Sequence, residues 1–467
     1  MVPKKIYIAR RDALAKDIEK GIILFLGNSE APANYLGNCY KFRQDSSFLY
    51  FFGINDPDFA AVIDVEKGEE IVFGNDVSID DIIWMGPQKS VAEKAAQFGV
   101  KKTKKFSDLS KYIASALKAK KQIHYLPPYR SQTKILLSEL LGLPISALKE
   151  NSSDKLIKAI VSQRIVKDKY EIAEIDEACN IGYAMHYAVM NLCKVGMVEQ
   201  ELAGLMDGIA SSYGAMNSFA TILSQHGETL HNHKHDGIIT KGKLLTVDAG
   251  AENNNNYCSD FTRTIPCGGK FTTKQKEIYN IVLECNNRAL ELAKPGVAYF
   301  DVHVEVYRIM AKRLKELGLM RGDVEEAVRA GAPALFMPHG LGHNMGLDVH
   351  DMENFGEDYV GYGSAAKRDK RFGYRSLRMA RKLVEGNVIT DEPGIYFIPA
   401  LIEKWKKEKT CAQFINFSKL KEYYDFGGIR LEDDVLITKT GNRLLGAKRL
   451  PITVKEVEEV MKNNGSR

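Results

Sequence analysis

The sequence predicts an α+β chain in two domains: a smaller N-terminal α/β domain, and a larger C-terminal domain that mixes long helices with short strands. Three observations carry this. The 467 residues exceed what one ordinary core encloses. The first third alternates short apolar runs with helical patterns, as a domain with its own sheet does. Beyond the polar, cap-rich stretch "LKENSSDKL" (148–156) the texture changes to longer helices and to strands that end in carboxylates.

In chain order, "GIILFLG" (21–27), "FAAVIDV" (59–65) and "EEIVFGN" (69–75) are apolar runs bounded by Gly, Asp and Asn, and they read as strands. Helical patterns occupy 90–99 and 106–121. The polar stretch places the boundary, giving domains 1–152 and 153–467. Helices follow over 169–193 and 198–214, then strands over 243–250 and 260–266 joined by "AENNNNYCS". Helices return over 272–293, ending before Pro295-Gly296, and over 301–318, with strands at 386–398 and 428–441. Helix, helix, strands occurs twice in this order. That suggests two similar halves, although no sequence repeat is visible.

Composition narrows the function classes. Hydrophobic residues are 45% and charged residues 27%, an ordinary globular mixture, with a net charge of only +5. The lysine clusters at 100–106 and 117–122 have no interleaved aromatics to stack bases, so they read as solvated faces and nucleic acid is not an expected partner. The seven cysteines are scattered and form no C-x-x-C, which fits reduced thiols. No run of 18 apolar residues exists to span a membrane, and the first residues are charged where a secretory signal needs an apolar core. The expected location is the cytoplasm.

Carboxylates recur beside apolar strands. Asp248 ends "LLTV" and Asp260 opens the strand beyond the Asn-rich loop, so a hairpin can put both on one face. Either alone reads as an ordinary turn aspartate. Glu392 precedes proline and is held extended. In "GIRLEDDVLIT" (428–438) the two-residue period puts Arg430, Glu432 and Asp434 on one face and Asp433 on the other. "MPHGLGHNMGLDVHD" (337–351) holds three of the chain's ten histidines. As a helix it would set His339 and His343 one turn apart, but Gly340, Gly342 and Gly346 would each cost that helix roughly 1 kcal/mol. A loop that aims its imidazoles separately is the better reading. Four carboxylates and one imidazole make a hard, oxygen-rich donor set. It suits Mn²⁺, with Co²⁺, Zn²⁺ or Fe²⁺ as substitutes, and can hold two ions about 3.5–4 Å apart.

The ordered set "VDAG", "SDFTRT", "HGLGHNMGLDVHD", "EPGIYF" and "GIRLEDD" resembles the dinuclear metallopeptidases of the pita-bread fold, over about residues 160–450. The resemblance implies Asp248, Asp260, His343, Glu392 and Glu432 as metal ligands, with Asp260 and Glu432 bridging two divalent ions. It implies His231, within "ETLHNH", and His350 as substrate-facing histidines, His339 as a further histidine near the site, and Arg430 and Tyr396 as their support. "YKFRQDSSFLYFFGINDPDFAAVI" (40–63) and "IWMGP" (83–87) resemble the N-terminal domain of aminopeptidase P and its prolidase relatives. Methionine aminopeptidase lacks that domain, and creatinase lacks the ligands. The implied activity is that of the Xaa-Pro aminopeptidases. A metal-bridging hydroxide would cleave before proline in the second position, and Glu392 would shuttle the proton. Xaa-Pro dipeptidase is the alternative, and a non-catalytic scaffold that has lost its metal is the alternative of another class. The resemblance also implies a homo-dimer or tetramer, with Trp84 the residue expected to reach a neighbour's site. Asp391 stands where the family has a small or apolar residue, and segments 353–386 and 399–428 are longer than in compact members. Both are expected at the mouth of the site.

Overall fold

The structure is a computed structural model that describes residues 2–363 and 366–462. The chain divides into two compact units, 1–164 and 165–467. The break falls one helix later than the polar stretch suggested. The helix Asp154–Arg164 buries Leu156, Ile157, Ile160 and Val161 and packs on the first helix, Lys4–Ile18, within the first unit.

The first unit is built on a five-stranded sheet, ordered Lys102–Lys104, Glu69–Phe73, Ala60–Asp64, Ile22–Leu26 and Ile123–His124. The three central strands are antiparallel and the two edges pair parallel. Strand alternation sends Ile22 and Leu24 to one face, where they meet Leu109, Ile113, Leu137 and Leu140 from two helices. Phe25 points to the other face and packs on Phe51, ring centroids 5.1 Å apart.

The second unit contains two helix pairs, Lys169–Leu192 with Glu199–Ser212 and Thr273–Leu292 with Tyr299–Glu316. Capping boxes start the long members: Asp168 with Glu171, and Thr272 with Gln275. Their apolar stripes supply Met185, Met206, Ile278 and Val306 to one continuous core, against Leu245, Val247, Ile265, Ile389, Ile429 and Val435 from the strands. Each such fully buried side chain contributes roughly 1.5–3 kcal/mol. Among the described residues the strands form two two-stranded sheets and two three-stranded ones. Leu244–Ala249 is central in one and Asp433–Ile437 in the other. An isolated bridge, Thr262 to Glu432, lies between them, and the functional side chains gather there.

Candidate metal centre

The first two carboxylates come from the expected hairpin. Leu244–Ala249 pairs antiparallel with Phe261–Pro266, with Asp248 opposite Thr262. Asp260 lies two residues before Thr262, so the pleat turns both carboxylates to one side. The asparagines of the connecting loop are structural. Asn253 Oδ1 accepts from Asn255 N and Tyr257 N at 3.0 and 3.1 Å. The Nδ2 groups of Asn253 and Asn255 donate to Glu174 of the long helix at 2.9 and 2.8 Å.

Glu392 and Glu432 sit where strands break. The run expected over 386–398 divides into Val388–Asp391 and Gly394–Tyr396, and that over 428–441 into Gly428–Arg430 and Asp433–Ile437, with Asn442–Leu444 beyond. At each break the backbone changes partner: Glu392 N donates to Leu341 O at 2.9 Å and Glu432 N to Thr262 O at 3.0 Å. The interruption re-aims each glutamate, as a bulge does.

His343 arrives on the glycine-rich stretch, which forms no helix. Gly342 lies so close to the neighbouring strand that a Cβ would stand 2.0 Å from Thr390 O. His343 Nδ1 donates to Asn344 O at 3.1 Å, which leaves the Nε2 lone pair facing the carboxylates. Nε2 is 3.4 Å from Asp260 Oδ2 and 3.8 Å from Glu392 Oε1. Asp260, His343 and Glu432 present ligand atoms within 4.8 Å of one another.

The electrostatics call for cations. Asp248, Asp260 and Glu432 are buried, and the Glu392 side chain is 18% exposed. Burial, and then the charges of neighbouring carboxylates, pushes Asp260 and Glu432 well above the usual range. Burial raises Glu392 too, against the pull of His343 and Arg430. Arg430 answers part of this charge through its hydrogen bond to Asp248 Oδ2. Asp248 Oδ1 and Asp260 Oδ1 are nevertheless buried with no hydrogen-bond donor. Such oxygens are costly unless positive charge lies among them, so the donor set fits divalent metal.

A second layer of hydrogen bonds orients these groups. Thr262 Oγ1 donates to Glu432 Oε2 at 2.6 Å and accepts from Arg430 Nε at 3.1 Å. Arg430 Nη1 donates to Tyr396 Oη at 2.8 Å, and Tyr396 in turn donates to His339 Nε2 at 2.9 Å. His339 therefore carries its proton on Nδ1, which donates to Gly340 O at 2.7 Å and lies 3.7 Å from Glu392 Oε2. Burial, then the Arg430 charge, lowers His339 to about 3. The His350 ring lies 4.0 Å from that of His343, its Nδ1 hydrogen-bonded to Glu353; burial, then the His343 charge, lowers it to about 4. His231 stands on a turn; partial burial, then Arg430, holds it below its ordinary value. All ten sequence-nominated residues, Trp84 apart, thus lie in or beside one cluster.

Some groups were not singled out from sequence. Asp434 Oδ2 accepts from the backbone N of Asp260 at 2.9 Å; its place on the Glu432 face was the available signal. Asp433 faces away and is held by Arg263 at 2.6 Å and Arg449 at 2.8 Å. Glu353 and Arg378 reach the site from the 353–386 segment, with Arg378 Nε 3.4 Å from Glu353 Oε1. The Arg378 charge acts on His231, His339, His343, His350 and Glu392. Nothing in residue spacing marks either. Asp391, next to Glu392, is buried. Its oxygens meet no donor, and burial, then the Asp433 charge, pushes it well above the carboxylate range.

Fold and site together define a metal-dependent hydrolase, and comparison with known proteins agrees. The metallopeptidase family M24 matches residues 173–439, and the chain belongs to that family. The aminopeptidase P N-terminal domain matches residues 7–125, completing the two-domain aminopeptidase P architecture. A probable Xaa-Pro aminopeptidase of Fusarium vanettenii is 34% identical, over 90% of this chain and 87% of that one. The Xaa-Pro dipeptidase of Homo sapiens is 33% identical, over 98% and 94%. Zinc-substituted Escherichia coli aminopeptidase P in complex with product superposes with a TM-score of 0.81 at 28% identity, with both chains covered completely.

Proposed function

We propose that this chain is a Xaa-Pro aminopeptidase, which releases the first residue of a peptide whose second residue is proline. The observation that carries the reading is the cluster of buried Asp248, Asp260, His343 and Glu432 with half-buried Glu392, with two carboxylate oxygens left without donors. These five side chains would hold two divalent cations, with Asp260 and Glu432 shared between them. Bound there, the cations would polarise the scissile carbonyl and make water acidic enough to ionise near neutral pH. Carboxylate oxygens outnumber the one imidazole, which favours Mn²⁺, with Co²⁺, Zn²⁺ or Fe²⁺ able to replace it.

The chain's own groups complete the chemistry. Glu392, the most open of the four carboxylates, takes the water's proton and delivers it to the proline nitrogen. That nitrogen carries no hydrogen in the peptide and must gain one to leave. Arg430 and Thr262 fix Asp248 and Glu432, so neither carboxylate swings during the reaction. His231 or His350 donates to the carbonyl oxygen as negative charge develops on it.

A second reading, Xaa-Pro dipeptidase, is favoured by Arg378. A dipeptide carries a free carboxylate one residue beyond the scissile bond, and a guanidinium held at the site's edge suits it. One experiment separates the two. Purified protein with added Mn²⁺ is given an Xaa-Pro-Pro tripeptide, an Xaa-Pro dipeptide and a Met-Ala-Ser control. Cleavage mainly of the tripeptide supports the aminopeptidase. Cleavage mainly of the dipeptide, lost in Arg378→Ala, supports the second reading. Hydrolysis of neither, with no metal retained, removes both in favour of a scaffold.

The reading includes self-association and a cytoplasmic location. Helix Ile79–Met85 buries none of its residues within the monomer, leaving Ile83 71% and Trp84 85% exposed, and such a surface suits a second copy. Ile83→Asp with Trp84→Asp should shift sedimentation from dimer or tetramer to monomer. An unchanged mass would remove this helix from the interface. The seven cysteines, all free thiols, suit a reducing compartment.

A further inference from the structure

We propose that the buried ion pair of Lys167 and Asp351 is a positioning device for His343: it locks the loop 343–351 so that the His343 imidazole keeps one angle to the carboxylates. The proposal rests on the reading of His343 as a cation ligand. The path from the pair to the ring is short. Lys167 Nζ donates to Asp351 Oδ2 at 2.8 Å, and each side chain is 1% exposed. Asp351 Oδ1 accepts from Asp348 N at 3.3 Å, and Asp351 N donates to Asn344 O at 2.9 Å. The second of these bonds closes residues 344–351 into a ring. Asn344 O is the same oxygen that accepts from His343 Nδ1 at 3.1 Å. A carbonyl oxygen has two lone pairs, so one atom serves both donors, and its place sets the direction of the imidazole. A shift of Asp351 is therefore felt at His343.

Lys167 is itself fixed. Its backbone N donates to Gly386 O at 2.8 Å, and Gly386 N donates to Ile437 O at 2.9 Å, at the end of strand Asp433–Ile437. The strand that follows Glu432 thus anchors the loop that carries His343. The lysine stem lies against Gly346, where a Cβ would stand 2.9 Å from Lys167 Cε and 2.7 Å from Asp351 Oδ2. Only glycine lets the pair come this close. A buried ion pair is a poor source of stability, because the loss of water offsets the attraction, and apolar residues of similar volume often do as well. Charge at this place points instead to geometry. A directed contact sets where Asp351 stands, and through it the Asn344 oxygen; an apolar contact would fill the space without aiming either.

Calorimetric titration of chelator-stripped protein with Mn²⁺ tests this. Lys167→Met combined with Asp351→Leu removes the pair without leaving a buried charge. Asp351→Asn keeps the shape of the side chain and removes its charge. The expected signature is selective. In the double variant the dissociation constant of one ion, the one His343 serves, should rise about 10-fold, while the ion held by carboxylates alone binds as in the wild type. Asp351→Asn should show a smaller rise at the same ion, and it decides the matter where the double variant does not fold. Unchanged affinity for both ions would overturn the proposal. So would affinities for both that fall together with Tm, since that marks a general loosening of the fold rather than a misplaced imidazole. A wild-type chain that takes up no Mn²⁺ would instead overturn the reading of the centre itself.

Discussion

Asp260 shows how much one residue carries. Its Oδ2 faces His343, its Oδ1 has no donor, and its backbone N is held by Asp434. If Asp260 and Glu432 are shared between cations, Asp260→Ala or Glu432→Ala should retain no metal after gel filtration, read by elemental analysis, and turnover should fall to background. Either variant turning over Xaa-Pro peptide would contradict the shared-ligand assignment. Asp434 holds the Asp260 backbone N and also accepts from Cys179 Sγ at 3.3 Å. Asp434→Ala leaves the buried N–H of Asp260 without its acceptor, so thermal unfolding should show a loss of roughly 1–3 kcal/mol, with weaker metal binding. Asp434→Asn keeps an acceptor oxygen and should lose less.

At the scale of elements, the site is made by interruptions. Two strands stop at Glu392 and Glu432, a hairpin loop is pinned by asparagines, and a glycine-rich stretch lies against Thr390. Gly342→Ala would drive a methyl group into the Thr390 carbonyl, 2.0 Å away. The prediction is a destabilisation above roughly 3 kcal/mol in denaturant unfolding, or failure to fold; a near-neutral variant would show that the loop can retreat. These elements also show what the sequence made legible. The hairpin bearing Asp248 and Asp260 and the loop character of 337–351 follow from local pattern, because alternation and glycine spacing are local properties. The five candidate ligands were legible as an ordered motif set. The breaks at Glu392 and Glu432 were not, because each arises where backbone groups change to partners far away in sequence. Arg378 was hidden for the same reason: 25 residues separate it from Glu353, and only the fold brings the two together.

For the whole molecule, carboxylate burial becomes a linkage between metal and stability. Asp260 and Glu432 have pKa values raised well above those of an unfolded chain, near ~4. Without cations the folded chain therefore binds more protons than the unfolded one at pH above that range, and its stability falls as pH rises. Chelator-treated protein should lose Tm steadily from pH 5 upward, and saturating Mn²⁺ should abolish the loss, since cations replace the protons. A Tm independent of pH in the metal-free protein would mean that these carboxylates are already neutralised by the chain.

The central claim is that these five side chains load cations in order to hydrolyse the bond before proline. Its most direct test is a titration of chelator-stripped protein with Mn²⁺, following release of the first residue from an Xaa-Pro-Pro peptide. The rate should rise from background to a plateau at two ions per chain and stay at background in Glu432→Ala. Full activity in the stripped protein, or no release at any Mn²⁺ concentration, would contradict it.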